Sequence, residues 1–172
     1  MKVLSVNIFT MDFLNHLKTY LNDEEIRLLE TSLSKKSEHA LLLNTEKMSQ
    51  EQLLSIYPSL KRHPLVKNAF IYDKDELGLG KSVYHELGCF YLQEPSAMLP
   101  AYLLNPEPGD LVLDLCAAPG GKSMQASLLM HNKGLIISND ISKSRAFAIS
   151  ENAERLGRGN LLITNNDCLS DA

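Results

Sequence analysis

Along the first stretch of the chain the apolar positions recur at helical spacing. Phe13, Leu14, Leu17 and Leu21, then Ile26, Leu29 and Leu33, fall three and four residues apart between Met11 and Leu33. Asn22 and Asp23 interrupt them where a cap belongs, so the pattern predicts a helical pair. The period then shortens. ALLLNTEKM from Ala40 predicts a strand, SQEQLLSIYP a helix starting at Ser49 and stopping at Pro58, and AFIYD from Ala69 a second strand, together a small α+β module. Asp75 to Ser82, DELGLGKS, carries two glycines and no periodicity, and is expected to be a loop linking this module to the C-terminal half of the chain.

Beyond it the pattern alternates. Pro95 to Leu104 predicts a short helix and Pro106 to Gly109 a turn. LVLDL then predicts a strand, Lys122 to His131 a helix, GLIISND a strand, Ser142 to Leu156 a helix and NLLITNND a strand. Ala146, Ile149, Ala153 and Leu156 form one apolar stripe, with Gly157 and Gly159 as the stop. That order predicts a parallel sheet with right-handed crossovers, the first half of a doubly wound α/β domain.

Composition narrows the class. With 172 residues and 44% hydrophobic content, the chain is long enough for one ordinary domain or two small ones sharing a core. No apolar run approaches the roughly 20 residues that span a bilayer, so a soluble cytoplasmic protein without a membrane partner is expected. Cys89, Cys116 and Cys168 include no CxxC pair, which argues against a disulfide framework and a structural zinc site. A net charge of −4 gives no global footprint for nucleic acid, so RNA binding needs a local basic patch. Lys35 with Lys36, and Lys61 to His63, are the candidates; solvated surface is the plainer reading of both.

The chemistry concentrates in LVLDLCAAPGGKS, Leu111 to Ser123. In such a sheet ligands sit at the carboxyl ends of the strands, and the first strand-to-helix turn is the usual cradle. Gly120 and Gly121 allow close backbone approach, and the helix start offers free N–H groups to an anion or carboxylate. Three readings compete. A phosphate-binding P-loop, GxxxxGK[ST], is matched by CAAPGGKS except at its first position, where Cys116 replaces glycine, and Pro119 removes a donor from its middle. A dinucleotide-binding turn would need GxGxxG. The third reading is S-adenosylmethionine, its methionyl part near the turn and its ribose on Asp140, about 20 residues after the glycines. Asp114, Asp140 and Asp167 end three successive predicted strands, although strand ends are turns and turns are rich in Asp.

LDLCAAPGGKS, with QEPSAMLPAYLL upstream and NDISKSRAFAISENAERLG downstream, resembles the Sun-type RNA cytosine-5 methyltransferases (RsmB/RsmF-like). The resemblance is closest to the RsmF-like bacterial members that modify 16S rRNA, and runs from about Leu41 to the last residue. It implies a Rossmann-like S-adenosylmethionine domain over residues 89–172, truncated after its third strand, and N-terminal helices with a ferredoxin-like RNA-contact module over residues 1–88. It implies that Cys116, Ala117, Ala118, Pro119, Gly120, Gly121 and Lys122 form the cofactor loop, Asp140 the ribose acid, and Asp167 an acid near the adenine. Lys122 matches a lysine reaching toward the target base, an accessory catalytic role. A cation at a helix N-terminus opposes the macrodipole, so a local partner for it is expected. Arg145 matches an arginine common in the helix after the ribose acid, and is equally well read as surface charge.

Methylating carbon 5 of cytosine requires a thiolate to add at carbon 6. In the resembling family that cysteine, and a second that releases the adduct, lie on later Pro-Cys and Thr-Cys motifs. Neither is in these 172 residues, and Cys116 is expected to be part of the cofactor wall, Cys89 a small buried residue. The chain is therefore expected to be the N-terminal part of a larger enzyme, inactive alone and partnered by RNA and by the missing C-terminal half. A non-catalytic RNA-binding piece and, third, a P-loop nucleotide-binding protein are the alternatives.

Overall fold

The computed structural model describes residues 13–34, 38–75 and 77–169. The chain divides into two compact units, residues 1–37 and residues 38–172. Lys35 and Lys36, and the start of the helical pair at Met11, lie outside the described residues.

In the first unit residues 13–17 are helical and α1 spans Asp23–Ser34. The predicted cap is present: Asn22 Oδ1 accepts the N–H groups of Glu24 and Glu25, each at 3.0 Å, and the Glu25 carboxylate accepts the Asn22 N–H at 2.8 Å. Three backbone donors at the helix start are thus satisfied, two by Asn22 and one in return by Glu25, and acids at positions 23–25 lie at the positive end of the helix dipole.

The second unit opens with β1 (His39–Leu43), α2 (Gln50–Ile56), β2 (Lys61–Arg62) and β3 (Ala69–Tyr72), followed by α3 (Val83–Glu86) and β4 (Phe90–Gln93). The strands form an antiparallel sheet in the order β2-β3-β1-β4. This βαββαβ path is the ferredoxin-like split βαβ, with its second helix reduced to four residues. Leu41 and Leu43 pack with Leu53, Phe70 and Phe90 on one face. Ala40 and Leu42 pack with Val66, Ala69 and Met98 on the other. Burial on both faces is why ALLL is a continuous apolar run without alternation. Ser49 caps α2 as predicted, in a capping box with Gln52.

Two features of this sheet differ from the sequence-based expectation. DELGLGKS is not a linker: Leu79 opens a 3₁₀ turn (Leu79–Lys81), is 2% exposed, and sits in the core with Leu77 packed against it. Its leucines are anchors for the turn that leads into α3. And β4 lies beyond residue 88, where the second domain is expected to begin, yet it pairs with β1 through Leu41↔Leu92.

A 3₁₀ turn (Ser96–Met98) and α4 (Leu99–Leu104) lead into the predicted alternation: β5 (Leu111–Asp114), α5 (Gly121–Leu129), β6 (Leu135–Asn139), α6 (Lys143–Leu156) and β7 (Leu161–Thr164). The strands are parallel, in the order β5-β6-β7. Ile149, Ala153 and Leu156 of α6 pack with Met124 of α5 and with Tyr91, which β4 contributes from the other sheet. The outer edge of β5 pairs with no strand among the described residues, and Leu111 and Leu113 are exposed along it. No helix among the described residues is long and apolar enough to cross a membrane.

The two sheets are joined at the C-terminal end of α6. The last carbonyls of a helix lack intrahelical partners, and here donors from the turn after β1 meet them. Buried Asn44 donates to Leu156 O at 3.0 Å and to Gly88 O at 3.1 Å, and Lys47 Nζ donates to Arg155 O and Leu87 O, both at 2.9 Å. Beside them Arg158, 7% exposed, pairs with Glu46 through both terminal guanidinium nitrogens. The Arg158 hydrogen bond holds the Glu46 carboxyl below the usual carboxylate range against its partial burial.

Candidate functional site

The stretch from Cys116 to Lys122 turns from β5 into α5 at the carboxyl edge of the parallel sheet. Its backbone is pinned from three sides. Ala117 N donates to Asn139 O at 2.8 Å, Ala118 N to Asp140 Oδ2 at 3.3 Å, and Gly120 N to Ala117 O at 2.7 Å. From α6, Arg145 donates to Ala118 O at 3.1 Å and Asn152 to Pro119 O at 3.0 Å. Behind the turn stands β4: a Cβ at Gly121 would lie 3.2 Å from the Gln93 amide and 3.3 Å from the Tyr91 ring. Gln93 is itself held by donating to Ala97 O at 2.8 Å. Tyr91 and Gln93, the latter the first residue of QEPSAM, therefore form the rear wall of the glycine turn.

Gly120 has φ +105°, a region L-residues rarely adopt, and a Cβ there would press 3.3 Å from Ile149 and Met124. Glycine is required at both positions for different reasons, conformation at 120 and close packing at 121. The Ala118–Pro119 peptide is cis.

This geometry weighs against the phosphate cradle. A P-loop presents successive backbone N–H groups to its ligand, whereas here the donors of Ala117, Ala118 and Gly120 are all taken up internally and Pro119 has none. The free donors begin only with the first turn of α5.

The three strand-end acids have different fates. Asp140 follows β6 and is 2% exposed; besides Ala118 N it accepts Ser142 N at 3.0 Å and lies 3.4 Å from the Arg145 guanidinium. Arg145, read from sequence as ligand contact or surface charge, bridges the acid to the loop carbonyl. Asp114, at the end of β5, accepts from Ser123 Oγ at 2.8 Å, and Ser123 in turn accepts from Ser138 Oγ at 2.8 Å. Asp167 is exposed beyond β7 and accepts Leu169 N at 2.9 Å.

Lys122 is exposed and lines a shallow hollow with Asp114, Leu113, Pro100 and Leu104. The local partner expected for it is not found: among the described residues no side chain is hydrogen-bonded or ion-paired to its ammonium. Lysine has a long, flexible stem, and an exposed ammonium is hydrated by solvent, which lessens its conflict with the helix dipole. Cys116 is exposed and Cys89 is buried. Cys168 bonds Asn139 Nδ2 at 3.3 Å and Leu115 O at 3.6 Å.

Sequence reasoning missed Asn139, Asn152 and the serine pair. Asn139 is 4% exposed and ties three strand ends together: it donates to Leu115 O and Asn166 O and accepts from Thr164 Oγ1 and Asn166 N. An amide at the end of a central strand was its one signal in the sequence. Of the remaining basic candidate, Lys61 is exposed on the edge strand β2, Arg62 bonds Gln50 and lies over the Phe70 ring, and His63 Nδ1 accepts from Leu65 N and Val66 N. No group of three or more His, Cys, Asp or Glu side chains among the described residues is placed to hold a metal ion.

A parallel β-α-β-α-β sheet with a bare glycine turn after its first strand and a buried acid after its second defines a Rossmann-like nucleoside-binding domain. Residues 101–171 match the family model of the 16S rRNA methyltransferases RsmB/F, and residues 9–95 match that of the N-terminal domain of the 16S rRNA methyltransferase RsmF. The chain belongs to the RsmF family of 16S rRNA methyltransferases. A protein named ribosomal RNA small subunit methyltransferase F from Shewanella frigidimarina is 34% identical over 91% of this chain and 34% of its own length. One of the same name from Vibrio parahaemolyticus is 37% identical over 74% of this chain and 28% of its own. The chain thus spans about a third of the length of these relatives. Among solved structures, a methyltransferase homolog from Pyrococcus horikoshii is 30% identical, with a TM-score of 0.77 over 84% of this chain and 48% of that one. NSun6 from the same organism, solved with SFG, has a TM-score of 0.80 at 21% identity over 90% of this chain and 64% of that one, a likeness of fold.

Proposed function

We propose that this chain forms the S-adenosylmethionine-binding part of an enzyme that methylates carbon 5 of a cytosine in 16S rRNA. The antiparallel sheet, which closes with β4, serves with the preceding helices as the RNA-contact portion, and the parallel sheet that follows it as the cofactor portion. One observation carries the reading. The turn from Cys116 to Lys122 is drawn back by Arg145, Asn152 and Gln93, so that Gly120 and Gly121 offer bare backbone at a helix start beside a buried carboxylate.

The residues present fit such a ligand. A methionyl carboxylate is favoured by the free N–H groups opening α5. Asp140 has about four acceptor sites, and Ala118 N, Ser142 N and Arg145 occupy three of them, leaving one for a ribose hydroxyl. Cys116 to Lys122 line the methionyl end, Asp167 stands toward the adenine, and Lys122 reaches toward the target base. Bound adenosylmethionine supplies the electrophilic methyl group. The thiolate that adds to cytosine comes from a segment outside these 172 residues, because Cys89 is buried and Cys116 and Cys168 belong to the loop wall and the β7 end.

Calorimetric titration with S-adenosylhomocysteine tests the cofactor reading. Saturable binding is expected, with a rise in melting temperature; Gly121→Leu, whose side chain would enter the Gln93–Tyr91 wall, is expected to abolish it. Stabilisation by magnesium–ATP with no effect of S-adenosylhomocysteine would refute it. For the reaction, bisulfite sequencing of 16S rRNA from cells with and without the gene should show one cytosine losing its 5-methyl group.

A further inference from the structure

We infer that a cleft between the two sheets, remote from the glycine turn, is a pocket for one unstacked nucleotide of the RNA. This inference rests on the RNA reading above and adds to it a second, non-reacting subsite. The cleft has a volume of about 260 Å³ and lies between β1, the turn before β3, α4 and the second half of α5. Leu42, Val66 and Leu128 form apolar walls, and Tyr102, 39% exposed, stands at the rim. The volume is just below the range of about 300–1,000 Å³ typical of drug-sized ligands, so it suits one ring system.

Gln125 sets the polarity. It lines the cleft, is 1% exposed, and donates its amide Nε2 to Met98 O at 2.9 Å. That bond leaves Oε1 as an acceptor, and this atom is buried with no hydrogen-bond partner among the described residues. Leaving a buried amide oxygen unpaired is costly, so a ligand bringing an N–H donor gains more here than in water. At the mouth Lys67 and His131 are exposed. An apolar slot with a buried, unpaired acceptor in its lining, an aromatic ring at its rim and the Lys67 ammonium and His131 imidazole at its entrance is complementary to a flat base bearing N–H groups on a phosphodiester backbone.

Position separates this pocket from the reacting centre. Gly121 and Leu128 are on one helix, about 10 Å apart at ~1.5 Å per residue. A nucleotide held here is a neighbour of the methylated one, and the pocket sets register on the RNA.

The test uses the 172-residue chain and four nucleoside 5′-monophosphates as probes, following the Gln125 side-chain amide by NMR. At least one of them should shift that amide saturably. Thr45→Trp, which plugs the mouth from an exposed position, should abolish the shift, and Lys67→Glu should weaken binding about tenfold. S-adenosylhomocysteine binding should be unchanged in both variants, which separates a failed pocket from a failed cofactor site. No shift with any nucleotide, or equal binding of ribose 5-phosphate, would overturn the proposal, the latter because phosphate contacts at the mouth alone would then account for it.

Discussion

Gly88, in the turn before β4, packs its backbone against the end of α6, and replacing it tests whether that junction positions the cofactor turn. Its φ is +69°, and a Cβ there would lie 1.9 Å from Arg155 O and 2.7 Å from Arg155 C. Both are backbone atoms and cannot swing aside, so Gly88→Ala forces the turn and the helix apart. A left-handed backbone costs an L-residue about 1–2 kcal/mol. Overpacking costs about 1–3 kcal/mol more, and a clash with backbone belongs at the top of that range. The sum, about 3–5 kcal/mol, is a large share of the ~5–15 kcal/mol that stabilises a typical domain.

Gly157 is the matched control, with φ +72° and only the Lys47 side chain near its missing Cβ, at 3.5 Å. Gly157→Ala meets the backbone penalty without the clash, about 1–2 kcal/mol. The stabilisation from a less flexible unfolded chain is common to both substitutions and cancels. Urea unfolding followed by circular dichroism should place the two variants at least ~2 kcal/mol apart with equal m-values. Because α6 carries Arg145 and Asn152, S-adenosylhomocysteine affinity should also fall further in Gly88→Ala. Equal unfolding midpoints for the two variants would refute the claim that this contact sets the junction.

Other substitutions probe the turn directly. Asn152→Asp keeps an acceptor for Arg155 but turns a carboxylate on Pro119 O, and calorimetry should show S-adenosylhomocysteine affinity falling by about tenfold, one lost hydrogen bond being worth ~1 kcal/mol and repulsion adding to it. Ser123→Ala removes the hydroxyl between Asp114 and Ser138 and should lower stability by about 1–3 kcal/mol in urea, because Ser138 is left buried without its acceptor. Acid should destabilise the fold in two stages. His85 is held below its ordinary value of 6.5 by burial and then by the Arg155 charge, so its contribution is present above that pH and lost as pH falls through the depressed value. Glu46, held below 4.5 by its Arg158 hydrogen bond, loses its contribution only below that pH. In melting temperature against pH, His85→Gln should remove the upper stage and leave the lower.

Much of the architecture was legible in the sequence where one element faces one environment. The Asn22 cap, the Ser49 capping box and the α6 stripe each depend on residues within a few positions of one another. Reading failed where an element takes its character from a distant partner. Phe90 and Tyr91 are both buried, on opposite faces of β4, one against β1 and the other against the glycine turn, so FYLQ shows no alternation. Glycines made DELGLGKS look like a linker, although Leu79 within it is buried under the first sheet.

The sequence by itself determined the elements of the second half, their parallel order and the position of the glycine turn, because spacing, capping and conformational freedom are local properties. Only the tertiary structure decided what each polar group does. Asp114, Asp140 and Asp167 are equivalent as letters at strand ends, yet one holds a serine relay, one is buried as the anchor of the turn and one is exposed. The donors that distinguish Asp114 and Asp140 (Ser123, Ala118 N and Arg145) reach them through the fold, whereas Asp167 keeps a local turn contact to Leu169 N, and a carboxylate's surroundings are set by what arrives beside it in space.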